Sequence, residues 1–324
     1  MTTLKRTVLI LAVSFAIAGA LALNILRDDQ ATWEAQTVET SRNLYSVHLY
    51  DPENILLAMF EGIKRTDDGG KSWPEDLQPS NPDNEAPEDI PRSIFSKNSS
   101  STWVVGRNGM IAHSSDGGSL WEHRSTETHA TLRDIHFADS RHGWAVGHQG
   151  TILHTTDGGD IWHEQDSGIE SRINSVFFTD KATGWVAGYD GLLLRTTDGG
   201  ENWKRLEAPA EQLESIHFTD SKTGWLATHN GIMYTENGGK DWEVQYREML
   251  GLPQLFDIYF SDDHHGWAVG HNGIILHTED GGNSWNRQHT GTEENIRSIH
   301  FVGKKDGWAV GDNGTVLKYS DSSD

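Results

Sequence analysis

The sequence predicts an all-β protein, a seven-bladed β-propeller whose last blade combines three C-terminal strands with one N-terminal strand. Three observations predict it. Thr155-Thr156-Asp157-Gly158-Gly159-Asp160-Ile161-Trp162 recurs around Asp68, Asp116, Asp198, Asn237 and Asp280, with a degenerate last copy at Asp321. Successive Asp/Asn positions lie 48, 41, 41, 39, 43 and 41 residues apart, and a period near forty marks a solenoid, an array or a propeller. Between the copies runs a second motif of the Gly-Trp-Ala-Val-Gly type, with Trp103, Trp144, Trp185, Trp225, Trp267 and Trp308 in register and Leu56 in the first repeat. Finally, the last repeat has no fourth strand of its own. Trp33 lies 12 residues before Tyr45, as Trp121 lies 12 before Arg133 and Trp162 lies 12 before Asn174, so Thr32–Gln36 supplies it.

Each element follows from local chemistry. Lys5-Arg6, the apolar run Val8–Leu26 and Asp28-Asp29 read as a signal peptide, cleaved near Ala20-Leu21-Ala22, or as a signal anchor. The charges put the repeats outside the membrane. The domains are therefore 1–27, the export segment, and 28–321, the propeller. One repeat divides into Leu132–Phe137, Gly143–Gly147, Thr151–Thr155 and Trp162–Gln165, four antiparallel strands with the first innermost. His148-Gln149-Gly150 has the composition of a tight hairpin turn. In the Asp-Gly-Gly turn the glycines supply positive φ and the carboxylate accepts backbone N–H bonds. Asp68, Asp116, Asp157, Asp198, Asn237, Asp280 and Asp321 are thus structural, and no catalysis is assigned to them. The acidic, Pro-rich stretch Pro74–Asp89 interrupts the period and reads as a tolerated surface insertion of undefined role within 74–91.

Composition narrows the function. A net charge of −22 argues against a nucleic-acid binder. With no cysteine there is no disulfide or thiolate chemistry and no lipoprotein acylation site. Of the 17 histidines, His48, His136, His217 and His300 occupy equivalent first-strand positions, with Phe95, Phe177 and Tyr259 filling the others. That exchange points to aromatic packing rather than a metal site, and no cofactor is expected.

Strand alternation puts the fourth-to-first connections and second-to-third turns on one face, opposite the Asp-Gly-Gly turns. Tyr45, Arg92, Arg133, Asn174, Glu214, Phe256 and Arg297 enter the innermost strands there, with Arg172 beside them. The turns add Phe60, Arg107, His148, Tyr189, His229, His271 and Asp312. Arg, Tyr, His and Phe around a channel mouth have the composition of a protein-recognition surface. The alternative is that these arginines only pair with neighbouring carboxylates.

The Thr-x-Asp-Gly-Gly-x-x-Trp repeats alternating with Gly-Trp-Ala-Val-Gly-x-x-Gly resemble the photosystem II stability and assembly factor family of Asp-box (BNR-like) propellers. The resemblance covers nearly all of residues 31–321. It implies a non-enzymatic, exported, monomeric factor that binds a membrane-protein client, with Arg92, Arg133, Arg172 and Arg297 as candidate equivalents of that family's arginine patch. The client is a photosystem or another envelope complex such as a transporter. A periplasmic or lumenal location follows, with residues 8–26 as a possible inner-membrane anchor. The rival reading is a glycan-binding or sialidase-like propeller. Sialidase chemistry needs an arginine triad, a Tyr nucleophile and an acidic partner, and Pro91-Arg92-Ser93-Ile94 matches the sialidase Arg-Ile-Pro segment poorly. Tyr45 near Glu214 or Arg297 keeps that alternative open.

Overall fold

A computed structural model describes residues 31–321 apart from Glu61, Glu75, 80–89 and 248–253. The export segment expected at 1–27, and most of the acidic insertion, lie outside the described residues. Among the described residues, no helix is long and apolar enough to cross a membrane.

Blade 3 shows how sequence becomes sheet. Its strands Leu132–Phe137, Gly143–Gly147, Ile152–Thr155 and His163–Gln165 pair antiparallel in chain order from the channel outwards. All five residues of the second strand are buried, because neighbouring blades cover both of its faces. That double coverage explains its continuous apolar run where a half-exposed strand would alternate. The turn between the second and third strands places Gln149 at φ 58° and Gly150 at φ 66°. Positive φ at both central residues is the requirement of a type I′ hairpin.

Five further four-stranded sheets repeat this plan, and a three-stranded sheet completes the ring. In the seventh blade, Ala31–Ala35 pairs with Val316–Asp321, with Trp33 opposite Tyr319. Trp33 is buried, its indole donates to Gln288 Oε1 at 2.7 Å, and its ring meets Phe301 edge-on at 5.9 Å. The predicted closure is therefore the observed one, and it covers an edge that would otherwise be open.

Two local expectations need correction. The first blade has three strands, Leu44–Leu49, Ile55–Met59 and Gly62–Thr66, and its fourth shrinks to a bridge between Ile63 and Leu77. Pro74 directly follows Trp73, and proline has no N–H to give a ladder. Asp321 is followed by no Gly-Gly pair, and the residues after it lie outside the described ones. It continues the last strand opposite Ala31, and Ser322-Ser323 stand where the other copies have the glycines that reverse the chain.

The six complete turns share one wiring. In blade 3, Thr155 Oγ1 donates to Asp157 Oδ1 at 2.7 Å and accepts from Gly159 N–H at 2.9 Å, while Ile161 N–H donates to Asp157 at 3.1 Å. In blades 3 and 5 the turn Trp also folds back to donate to the second glycine, Trp162 to Gly159 O and Trp242 to Gly239 O, each at 3.1 Å. These turns also lock blade to blade. The Trp144 indole donates to Gly199 O in the next blade and its ring stacks on Phe178 at 3.4 Å. Trp185 with Phe218, Trp225 with Phe260 and Trp267 with Phe301 repeat that stack at 3.6 to 3.7 Å. The core is thus seven inter-blade seams, six of them sealed by paired aromatic rings and the one between blades 1 and 2 by Leu56, Ile94, Val104 and Met110.

Candidate binding site at the channel mouth

Side chains of the innermost strands alternate, so every second residue faces the channel. Seven strands then place like positions in rings. The deepest ring described is His48, Phe95, His136, Phe177, His217, Tyr259 and His300. Each ring touches the next, with centroids 4.2 to 5.8 Å apart all the way around. This closes the floor of the channel. Burial drives the imidazoles toward the neutral form, His48 and His136 to about 4 and His217 to about 3.

Above it lies a belt that the sequence reading missed: Ser46, Ser93, Asp134, Ser175, Ser215, Asp257 and Ser298. These residues stand two before each floor residue, and their small polar side chains were the available signal. They cross-link blades. Asp134 accepts from Ser93 Oγ at 3.1 Å and from Val176 N–H at 2.9 Å, and Asp257 accepts from Ser215 Oγ at 2.8 Å and Ile299 N–H at 3.0 Å. Burial pushes the Asp257 carboxyl up to about 6 despite these bonds.

The mouth comes next, formed by the residue just before each belt residue, where a β-bulge in every first strand interrupts the alternation. Tyr45, Arg92, Arg133, Asn174, Glu214, Phe256 and Arg297 line a cavity of about 220 Å³ whose lower wall is the Ser/Asp belt. The structure brings together every first-strand residue that the sequence reading assigned to this face. The Arg92 guanidinium lies 4.2 Å from the Tyr45 ring centre, and Arg172 lies 3.6 Å from that of Tyr189 while donating to Asn174 Oδ1 at 2.9 Å. Arg297 instead makes a two-point ion pair with Asp312 and lies over Phe256. The expectation that carboxylates neutralise the arginines thus holds for Arg297.

Arg133 is different. Burial lowers its guanidinium to about 10, Arg172 adds repulsion, and Glu214 opposes both. The Nε atoms of Arg92 and Arg133 are buried without a hydrogen-bond partner among the described residues. Glu214 is itself pushed up by burial, against the pull of Arg133 and Arg172. Arg107, His148 and His271 sit on the surrounding hairpins; Arg107 N–H donates to Ile90 O, His148 N–H to Thr131 O and His271 N–H to Gln254 O. His229 contacts Gln254 at 2.7 Å. Burial lowers His148 and His271, and nearby arginines lower them further. The mouth is therefore a concave surface of stacked, incompletely bonded guanidinium groups, suited to an anionic or carbonyl-rich partner.

Comparison with known proteins gives a consistent result. A family model described as "Photosynthesis system II assembly factor YCF48" matches residues 25–126, 119–254 and 253–320. A photosystem II assembly lipoprotein, Ycf48 of Synechococcus sp. (strain CC9902), is 28% identical over 121 residues, which span 37% of this chain and 35% of that relative. The match thus spans about a third of the relative's length. YCF48 from Cyanidioschyzon merolae superposes with a TM-score of 0.71 at 20% identity, over 89% of this chain and 99% of that one. A YCF48 bound to D1 peptide gives 0.72 at 19% identity, over 89% and 94%. A virginiamycin B lyase from Staphylococcus aureus also matches, at 0.69 and 13% identity over 90% and 99%. At such identities these structures show the shared fold.

Proposed function

The chain belongs to the photosynthesis system II assembly factor YCF48 family, and from that premise we propose that it is an exported, non-catalytic propeller that binds a membrane-protein client through its channel mouth. One observation carries the reading. Arg92 and Arg133 line a single cavity and keep buried donors unused, Arg172 joins them by donating to the lining residue Asn174, and Arg92 and Arg172 are held by aromatic faces. A solved relative of the same fold binds a peptide, D1, which supports a protein segment as the occupant here. The client is a photosystem subunit or a subunit of another envelope complex.

The fold alone does not decide against catalysis, since lyases and glycoside hydrolases share it. The carboxylates do weigh against it. Asp134 and Asp257 are tied into inter-blade bonds, and Asp312 is tied to Arg297, which leaves Glu214 without the second carboxylate of a two-acid glycoside hydrolase, while Tyr45, the nucleophile candidate of the sialidase-like reading, has its ring face covered by the Arg92 guanidinium.

The test is recovery of the client from solubilised membranes by the wild type and by an Arg92→Ala/Arg172→Ala double variant. Truncating arginine hot spots costs about 2 kcal/mol each, so recovery should fall by tenfold or more (roughly, from the same estimate) with the melting curve preserved. Equal recovery would remove the mouth from consideration, and turnover in a panel of sialidase and glycosidase substrates would replace the binding reading with an enzymatic one.

A further inference from the structure

We propose that the outer edge of blades 2 and 3, on the Asp-box face, rests against the lipid surface, with Leu120 and Ile161 entering the interfacial layer. The two residues break a rule that the other boxes keep. Four residues after the box Asp or Asn stand Ser72, Leu120, Ile161, Asn202, Asp241 and Ser284. Ser72, Asn202 and Ser284 each donate a side-chain bond to the second oxygen of their box carboxylate, at 2.7 to 2.9 Å. In blade 5 the roles reverse, and Asn237 donates to Asp241 at 2.9 Å.

Leu120 and Ile161 keep the backbone bond to Asp116 and Asp157 but forgo the side-chain bond. They point outward instead, 74% and 57% exposed, and with Val244 they are the large exposed hydrophobic residues among those described. The box geometry is the same without them, so the turn does not require them. They sit in neighbouring blades whose edges Arg124 joins, through Glu122 on its own strand and Asp160 on the next box.

The chain outside the structure says which surface they meet. The closing strand begins at Ala31, opposite Asp321. That is the end of the third strand that in other blades runs into the box, so the chain enters the disc on the box face. The apolar run Val8–Leu26 ends five positions earlier, a span of at most about 18 Å. An anchor on so short a tether holds the box face toward the bilayer. Two aliphatic side chains would not recruit a soluble protein, but beside a membrane-held tether their contact becomes intramolecular and its effective concentration high. The inference rests on the reading that the apolar run stays in the membrane. It leaves the arginine mouth facing away from the bilayer, open to segments that a client extends into solvent.

The absence of native cysteine makes the test clean. Single Leu120→Cys, Ile161→Cys and Asn202→Cys variants of the full chain are labelled with an environment-sensitive fluorophore and reconstituted with phosphatidylcholine vesicles carrying spin-labelled lipid. Labels at 120 and 161 should shift to the blue and be quenched by the lipid, while the label at the equivalent position 202 stays as in solution. Equal spectra at all three sites overturn the proposal, and a blue shift without lipid quenching reassigns the patch to a protein partner. Failure of the full chain to float with vesicles removes the anchor premise and this proposal with it, leaving the mouth reading to its own pull-down. An unchanged melt in a Leu120→Ser/Ile161→Asn variant would show that the two side chains are dispensable for folding, whereas a large loss of stability would return them to the scaffold.

Discussion

Gly159 shows how much one residue type can carry. Its φ of 94° lies where L side chains are strained, and a β-carbon there would sit 2.3 Å from the Trp103 ring of the preceding blade. Gly168 shares the strained backbone, with φ 64°, but faces open space. The left-handed conformation costs about 1–2 kcal/mol for a non-glycine residue, and overpacking a sealed contact adds about 1–3 kcal/mol. Gly159→Ala should therefore destabilise the domain by roughly 3 kcal/mol and Gly168→Ala by about 1 kcal/mol, read from urea unfolding midpoints. Similar losses for both would mean that the seam yields to the extra methyl. The same scale separates the arginines. Arg297 is spent on Asp312 and Arg172 lies on Tyr189, so their truncation should affect different properties, Arg297 the scaffold and Arg172 recognition.

Among the elements, the channel floor makes the protein sensitive to acid. The floor histidines titrate near 6.5 when unfolded, but burial holds His48 and His136 at about 4 in the folded chain. A histidine with a lowered folded value contributes its full stability above 6.5, and the contribution is lost as pH falls from 6.5 toward 4. Asp134 and Asp257 act in the opposite sense, since burial raises their folded values and acid relieves them. A difference measurement separates the two. His136→Phe, which installs the residue found at Phe95 and Phe177, should lose less stability than the wild type between pH 7 and 4.5, each tenfold change in proton affinity being worth about 1.4 kcal/mol. Parallel pH profiles for the two proteins would exclude His136 from the acid response. The contact between His48 and His300, 4.2 Å between centroids, further disfavours protonating both at once.

For the whole molecule, stability depends on closing the ring. Trp33 packs among Trp267, Phe301 and Tyr319 in the seam of the last blade. Deleting residues 28–40 should lower the melting temperature sharply, and Trp33→Ala, which keeps the strand, should cost about 3–5 kcal/mol. An unchanged melt in the deletion would sink the closure account.

The sequence by itself determined the repeat, the blade count, the turn wiring and the closing strand. Each is encoded locally: the Asp157-Gly158-Gly159 turn bonds within itself, and the 12-residue offset from Trp33 to Tyr45 is set by chain spacing alone. It also placed Arg92, Arg133 and Arg297 at one mouth, because strand alternation and ring symmetry are periodic properties. Four things were decided only by tertiary structure. Asp312 rather than Glu214 neutralises an arginine by a direct ion pair, since partner choice depends on distances across 15 residues of folded hairpin. The Ser/Asp belt emerged because inter-blade bonds join residues 41 or 42 apart, beyond any local pattern. The first blade gave up its fourth strand where Pro74 removed a donor, and Leu120 and Ile161 were left facing outward. Local spacing fixes what a chain segment can form, whereas the enclosure of each side chain depends on which distant segments pack around it.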